Sequence, residues 1–172
     1  MRNILVACIG NIFLGDDAFG CEVAREFLTG PLPAGARVVD FGIRGLDLAY
    51  SLLEHSGPVI LVDAVPRGEP PGTVFLIEPD LAAMNSSETD VEMLDAHSMQ
   101  PEKVLRTALS MGARLERVLL VGCEPAPFDP EFDMQMELSV PVRAAVPEAV
   151  RLIRSQVSEL IGGYRELAAI NS

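Results

Sequence analysis

No apolar run in this 172-residue chain reaches the ~20 residues of a membrane span. The start MRNILVACIG lacks the small-residue cleavage pattern of a signal peptide, so the chain is expected in the cytoplasm. Basic residues are scarce: 13 Lys and Arg stand against 25 Asp and Glu, a formal net charge of -12. That balance repels nucleic acid and anionic membrane surfaces, and no local basic patch offsets it. Cysteines number 3, and Cys8, Cys21 and Cys123 form no C-x-x-C pair. That pattern suggests neither a disulfide framework nor a thiolate zinc site, and buried free thiols are expected. There is no G-x-S-x-G elbow, no H-E-x-x-H and no Walker loop, and no internal repeat.

What is present is a hydrophobic fraction of 49%, ample for a core, and a length that fits a single domain spanning residues 1–172. The stretch NILVACIGNIFLGDDAFGCEVARE organises the rest. Ile4 to Ile9 is an apolar run of strand length, whereas Phe19, Val23, Phe27 and Leu28 fall at helical spacing. A strand therefore passes into a helix within Gly10 to Asp17. Asp16 and Asp17 stand where that helix begins, so one of them is expected to cap it and the other to point out of the strand's carboxyl end. A dinucleotide site would need G-x-G-x-x-G here. Cys8-Ile9-Gly10 lacks the first glycine, and two carboxylates occupy the place of the phosphate. A cation suits them better, the plainer alternative being a helix cap plus a solvated acid.

Farther on, Arg37 to Phe41 reads as a second strand ending near Asp40, and Leu46, Leu48, Leu52 and Leu53 as a helix closed near His55 to Gly57. His55 suits a helix carboxyl end and takes no catalytic role. Pro58 to Val65 is a continuous strand of the kind buried on both faces of a parallel sheet, and it ends in Asp63. A charge there must reach solvent, pair, or bind a cation. Thr73 to Ile77 follows after too short a connection for a crossover, so it should run antiparallel. Glu78 to Asp95 is acidic and without period, a lid or an excursion. His97 precedes a helix from Gln100 to Met111 with Pro101 in its first turn. It is open to two readings, a structural hydrogen-bonding residue or a ligand. Arg117 to Val121 is the fifth strand, followed by Gly122-Cys123-Glu124-Pro125. The last helix should be capped by Ser139, restarted or kinked at Pro147, and ended by Gly162 and Gly163.

The expected fold is an α/β three-layer sandwich with a five-stranded, mostly parallel sheet and one antiparallel strand. Asp17, Asp40, Asp63 and Glu124 would gather on its rim, with His97 near it. A serine or cysteine triad is hard to build from these residues, with Cys8 the one weak nucleophile candidate. Two carboxylates and an imidazole instead form a partial shell for a divalent ion such as nickel or zinc.

GNIFLGDDAFG (Gly10 to Gly20), ILVDAV (Ile60 to Val65), DAHSM (Asp95 to Met99) and GCEP (Gly122 to Pro125) followed by LSVPVRAAVPEAV, in this order and spacing, resemble the hydrogenase maturation endopeptidases. Those enzymes process the large subunit of nickel-iron hydrogenases. The resemblance covers nearly the whole chain and departs at Cys8, where many members have glycine, and at DFGIRG (Asp40 to Gly45), where many read D-G-G-T-x-G. It implies that Asp17, Asp63 and His97 match metal-binding positions and recognise nickel already inserted in the large-subunit precursor, whose carboxyl-terminal extension is then removed. The nickel would arrive with the substrate, with no tightly bound cofactor of the chain's own. The catalytic group is left open, with Asp17 and Asp40 as the two candidates for proton transfer. Two alternatives are a non-proteolytic metal-binding chaperone using the same rim, and a nucleotide-binding domain, which the missing glycine disfavours.

Overall fold

The computed structural model describes residues 3–86, 100–127 and 137–170. Its centre is a five-stranded sheet in the order β2-β1-β3-β5-β4, built from β1 (Ile4–Ile9), β2 (Ala36–Gly42), β3 (Val59–Ala64), β4 (Val74–Ile77) and β5 (Val118–Cys123). All pairings are parallel except β4 with β5, as the short connection between β3 and β4 demands. Helices α1 (Phe19–Leu28) and α5 (Val140–Ile170) cover one face; α2 (Gly45–Glu54) and α4 (Pro101–Ser110) cover the other. The expected sandwich is therefore the observed one.

Side-chain alternation along the strands explains the two cores. In β3, Ile60 and Val62 point toward α1 and α5, while Val59 and Leu61 point toward α2 and α4. Both sets are fully buried, which accounts for the unbroken apolar run. Phe19, Val23 and Phe27 form the buried stripe of α1, and Val104, Leu105 and Ala108 that of α4. At Gly20 the helix lies directly on the sheet: a Cβ there would run into the carbonyl oxygens of Ile9 and Val62. This close approach sets where α1 starts relative to the ends of β1 and β3.

Two expectations are corrected. The acidic stretch after β4 contains a short helix, α3 (Leu81–Ser86), begun by Asp80, whose Oδ1 accepts the Ala83 amide at 3.0 Å. The last helix neither restarts at Pro147 nor stops at Gly162 and Gly163 but runs as one element to Ile170. Pro147 faces solvent, so the carbonyl it leaves unpaired can be hydrated, while Val142, Ala145, Val146, Ala149, Val150 and Ile153 seat the helix on the sheet. Each helical glycine costs only about 1 kcal/mol, and the good helix formers of Arg165-Glu166-Leu167-Ala168-Ala169 outweigh that.

Candidate active site

Because the strand order is 2-1-3, the chain leaves β1 to build one side of the sheet and later returns to build the other with β3. Connections at the carboxyl ends of these two strands part in opposite directions and leave a crevice, the usual ligand position in open α/β sheets. Asp17 lies just past β1 in a single 3₁₀ turn, Gly15–Ala18. Asp63 is near the end of β3. Both line a cavity of about 1210 Å³, walled also by Leu14, Ile43, Arg67 and Leu105.

Asn11 shapes the loop that carries Asp17. Its amide donates to the Asp17 carbonyl (3.1 Å), its carbonyl accepts from Leu14 (3.1 Å), and its Oδ1 accepts from the Phe13 amide (3.0 Å). This closes residues 11 to 17 on themselves and projects Ile12, Phe13 and Leu14 outward, each about half exposed. An asparagine folding its side chain onto an amide two residues ahead is a recognisable turn signal, and it was legible in G-N-I-F, yet sequence reasoning passed over it.

Asp16 and Asp17 divide their work, and neither caps α1, whose amino end has no side-chain cap. The buried Asp16 accepts three hydrogen bonds, from the Ala126 amide (2.8 Å), the Ser139 amide (2.7 Å) and the Ser139 hydroxyl (2.8 Å). It thus ties the segment after β5 and the start of α5 to the hinge. Asp17 is the exposed one, open to the cavity.

Asp63 is only 4% exposed. Burial pushes its pKa well above the carboxylate range, the neighbouring charge of Asp17 pushes it further, and a hydrogen bond from the Ala64 amide opposes both. The Asp17 carboxyl is raised as well, by the surrounding protein and against a hydrogen bond from the Asn11 amide. A carboxyl whose charge is disfavoured by burial and by a neighbouring acid keeps its proton more readily than an isolated one, or accepts a cation in its place.

The other sequence-derived candidates are distributed differently. Asp40 is exposed near the end of β2, but its Oδ1 accepts the Gly42 amide (2.9 Å) and it does not line the cavity. Arg44 closes the same loop by donating to the carbonyls of Asp40 (2.6 Å) and Phe41 (3.1 Å). That leaves Ile43 to face the cavity. Glu124 was expected on the rim; it is instead buried, and its carboxylate accepts the amides of Arg67 (2.6 Å) and Gly68 (3.3 Å). It holds the β3–β4 connection in place. His55 follows the carboxyl end of α2, its Nε2 3.2 Å from the Pro58 carbonyl, beside the amino end of β3 and so at the opposite end of the strands from the cavity. His97 lies outside the described residues; Gln100, three positions on, lines the cavity. Among the described residues, no three His, Cys, Asp or Glu side chains are grouped to hold a metal ion.

The thiols are removed from the chemistry. Cys8 is fully buried, and burial first, then the charges of Asp40 and Cys21, push its pKa far above the ordinary value. Burial likewise lifts Cys21 and Cys123 to about 12. A nucleophilic cysteine needs a thiolate, which these surroundings suppress.

Residues 22–156 match the family model described as hydrogenase maturation protease. The chain is 33% identical over 157 residues to the hydrogenase expression/formation protein HupD of Rhizobium leguminosarum, covering 88% of this chain and 74% of that one. Among solved structures, a hydrogenase 2 maturation peptidase from a Thaumarchaeota archaeon superposes with a TM-score of 0.66 at 30% identity, over 91% of this chain and 98% of that one. The hydrogenase maturating endopeptidase HybD of Escherichia coli gives a TM-score of 0.70 at 23% identity, over 91% and 93%, a likeness of fold. With a family match across most of the sheet and both helical layers, and a relative of this identity along nearly its whole length, the chain belongs to the hydrogenase maturation protease family.

Proposed function

We propose that this chain is an endopeptidase that recognises nickel in the precursor of a nickel-iron hydrogenase large subunit and removes the precursor's carboxyl-terminal extension. The observation that carries this reading is the pairing of Asp17 with buried Asp63 at the switch point of the sheet, in a cavity large enough for an extended peptide segment. Asp17, Asp63 and His97 would lend ligands to the nickel that the substrate brings. Carboxylate and imidazole suit such an ion, and an incomplete set on the protease lets it tell a loaded precursor from an empty one. No tightly bound ion of the chain's own is needed.

Hydrolysis requires that a water lose a proton as it attacks the scissile carbonyl and that the leaving amine gain one. Of the two acids considered from sequence, Asp17 suits the proton transfer. It opens on the cavity and its pKa is raised toward working pH. Asp40 is engaged with its own strand end and serves the shape of the Ile43 loop. Ile43, with Leu14, presents apolar surface at the cavity mouth and would contact the precursor. The acidic chain, with a net charge of -12, suits a protein partner in the cytoplasm rather than nucleic acid or an anionic membrane. No helix among the described residues is long and apolar enough to cross a membrane.

The test is to incubate the purified chain with candidate large-subunit precursors, with and without nickel, and to weigh the products by mass spectrometry. Loss of a carboxyl-terminal fragment from the nickel-loaded precursor alone is expected, abolished in Asp17→Ala, Asp63→Ala and His97→Ala and retained in His55→Ala. Equal cleavage without nickel would remove the metal from the reading. Stable binding with no cleavage would make the chain a maturation chaperone instead.

A further inference from the structure

The G-C-E-P block at the end of β5 supplies neither acid of the pair, yet two of its residues bear on one residue, Arg67. Gly122 lies in register with Asp63 on one side and Phe75 on the other. It has no side chain because the Phe75 ring occupies the space where a Cβ would stand. The Arg67 guanidinium rests over that ring, 5.0 Å from its centroid. From the other direction, buried Glu124 clamps the Arg67 backbone amide at 2.6 Å. Side chain and backbone of Arg67 are thus both fixed, and Arg67 lines the same cavity as Asp17 and Asp63. No ion pair joins it to either acid among the described residues. The other arginine of the cavity wall, Arg106, is bound to Glu102 at 2.9 Å and to the Met84 carbonyl at 3.2 Å.

We infer that Arg67 is a substrate-anchoring residue: its guanidinium, held on Phe75 and lining the same cavity as Asp17 and Asp63, binds an acceptor oxygen of the precursor chain and fixes that chain over the acid pair. The inference rests on the proteolytic reading above and deepens it. An aromatic platform pre-orders a guanidinium without consuming its N–H donors, since the cation meets the ring by its face and its edge stays free for oxygen. A peptide that spans the guanidinium and the acid pair is held in one register, because only its carbonyl or carboxylate oxygens suit the guanidinium.

The experiment measures KM and kcat for cleavage of the nickel-loaded precursor by the full chain. Arg67→Ala should raise KM by ~10- to 100-fold with kcat within about twofold, the pattern of lost ground-state binding to a charged donor. Arg67→Lys should recover part of that loss, and Phe75→Leu should raise KM by only ~2- to 5-fold, the share of the platform. Arg154 is the control, because it rests on Phe27 at the same 5.0 Å, away from the cavity. Arg154→Ala should leave KM unchanged while shifting the melting temperature about as much as Arg67→Ala. If Arg67→Ala matches wild type in KM, or Arg154→Ala raises KM equally, the inference is overturned while the proteolytic reading stands. If wild type cuts no precursor, both fall. Precursors whose acidic residues near the cleavage point are changed to amides identify the oxygen. An Arg67→Ala effect that persists assigns a main-chain carbonyl, and one that disappears assigns a side-chain carboxylate.

Discussion

Asp16 and Ser139, 123 residues apart in the chain, are joined twice: the Ser139 amide donates to Asp16 Oδ1 at 2.7 Å and the hydroxyl to Oδ2 at 2.8 Å. The next residue, Asp17, takes no part in this tie and opens on the cavity. Adjacent and chemically identical, the two acids have opposite duties.

Substitution should separate those duties. Asp16→Ala strands three buried or half-buried donors and should cost about 3 kcal/mol of stability. Asp17→Asn should stay within about 0.5 kcal/mol of wild type, as surface changes do, while losing processing. Urea unfolding of both variants beside a precursor-cleavage assay is the check. A stable Asp16→Ala protein would show that the tie is dispensable.

A second expectation follows from the raised pKa of Asp63. Native Asp63 holds its proton more tightly than the unfolded chain, whose value is the ordinary 3.8. Below that value both states are protonated and the group costs nothing. As pH rises from there through the raised native pKa the buried charge appears, so stability falls with increasing pH, and the loss is complete above the native pKa. Asp63→Asn, neutral throughout, should therefore unfold at higher urea than wild type at neutral pH, with the gain shrinking as pH is lowered toward 3.8. It should also be inactive. A gain that grows on acidification would contradict the sign.

How much of this was legible beforehand varied with the range of the forces involved. Asp63 was readable because an apolar run of strand length that stops at a carboxylate admits few structures, and the antiparallel β4 because its connection is too short for any other. The roles of Asp16 and Asp17 were not, since what distinguishes them is supplied by Ala126 and Ser139, more than a hundred residues away. Glu124 misled for the same reason: an acid after a strand looks like a rim residue until the amides of Arg67 and Gly68 are seen to take it. Arg67 itself carries no local signal, being one exposed arginine in a proline-rich connection.

The glycine pair in α5 offers a third test. Gly162 and Gly163 lie inside the helix, and a Cβ on either would meet nothing within 4 Å. Gly162→Ala and Gly163→Ala should each stabilise the chain by about 0.5–1 kcal/mol through helix propensity alone. Thermal or urea unfolding measures it, and cleavage should be unaffected. Destabilisation by either alanine would mean that the pair is needed for something other than the helix.

The clamp on the Arg67 amide gives the two walls of the cavity unequal freedom to change. On the β3–β4 side, Gly122 is fixed by the Phe75 ring and buried Glu124 by the amides of Arg67 and Gly68, so almost any replacement disturbs the fold before it can alter recognition. On the β1–β2 side, Ile12, Phe13, Leu14 and Ile43 project with about half their surface free and support little of the core. Mutation can explore that side at small cost in stability. A lineage adapting to a different client would therefore be expected to rewrite the hinge and the Ile43 loop and to leave the Arg67 side intact.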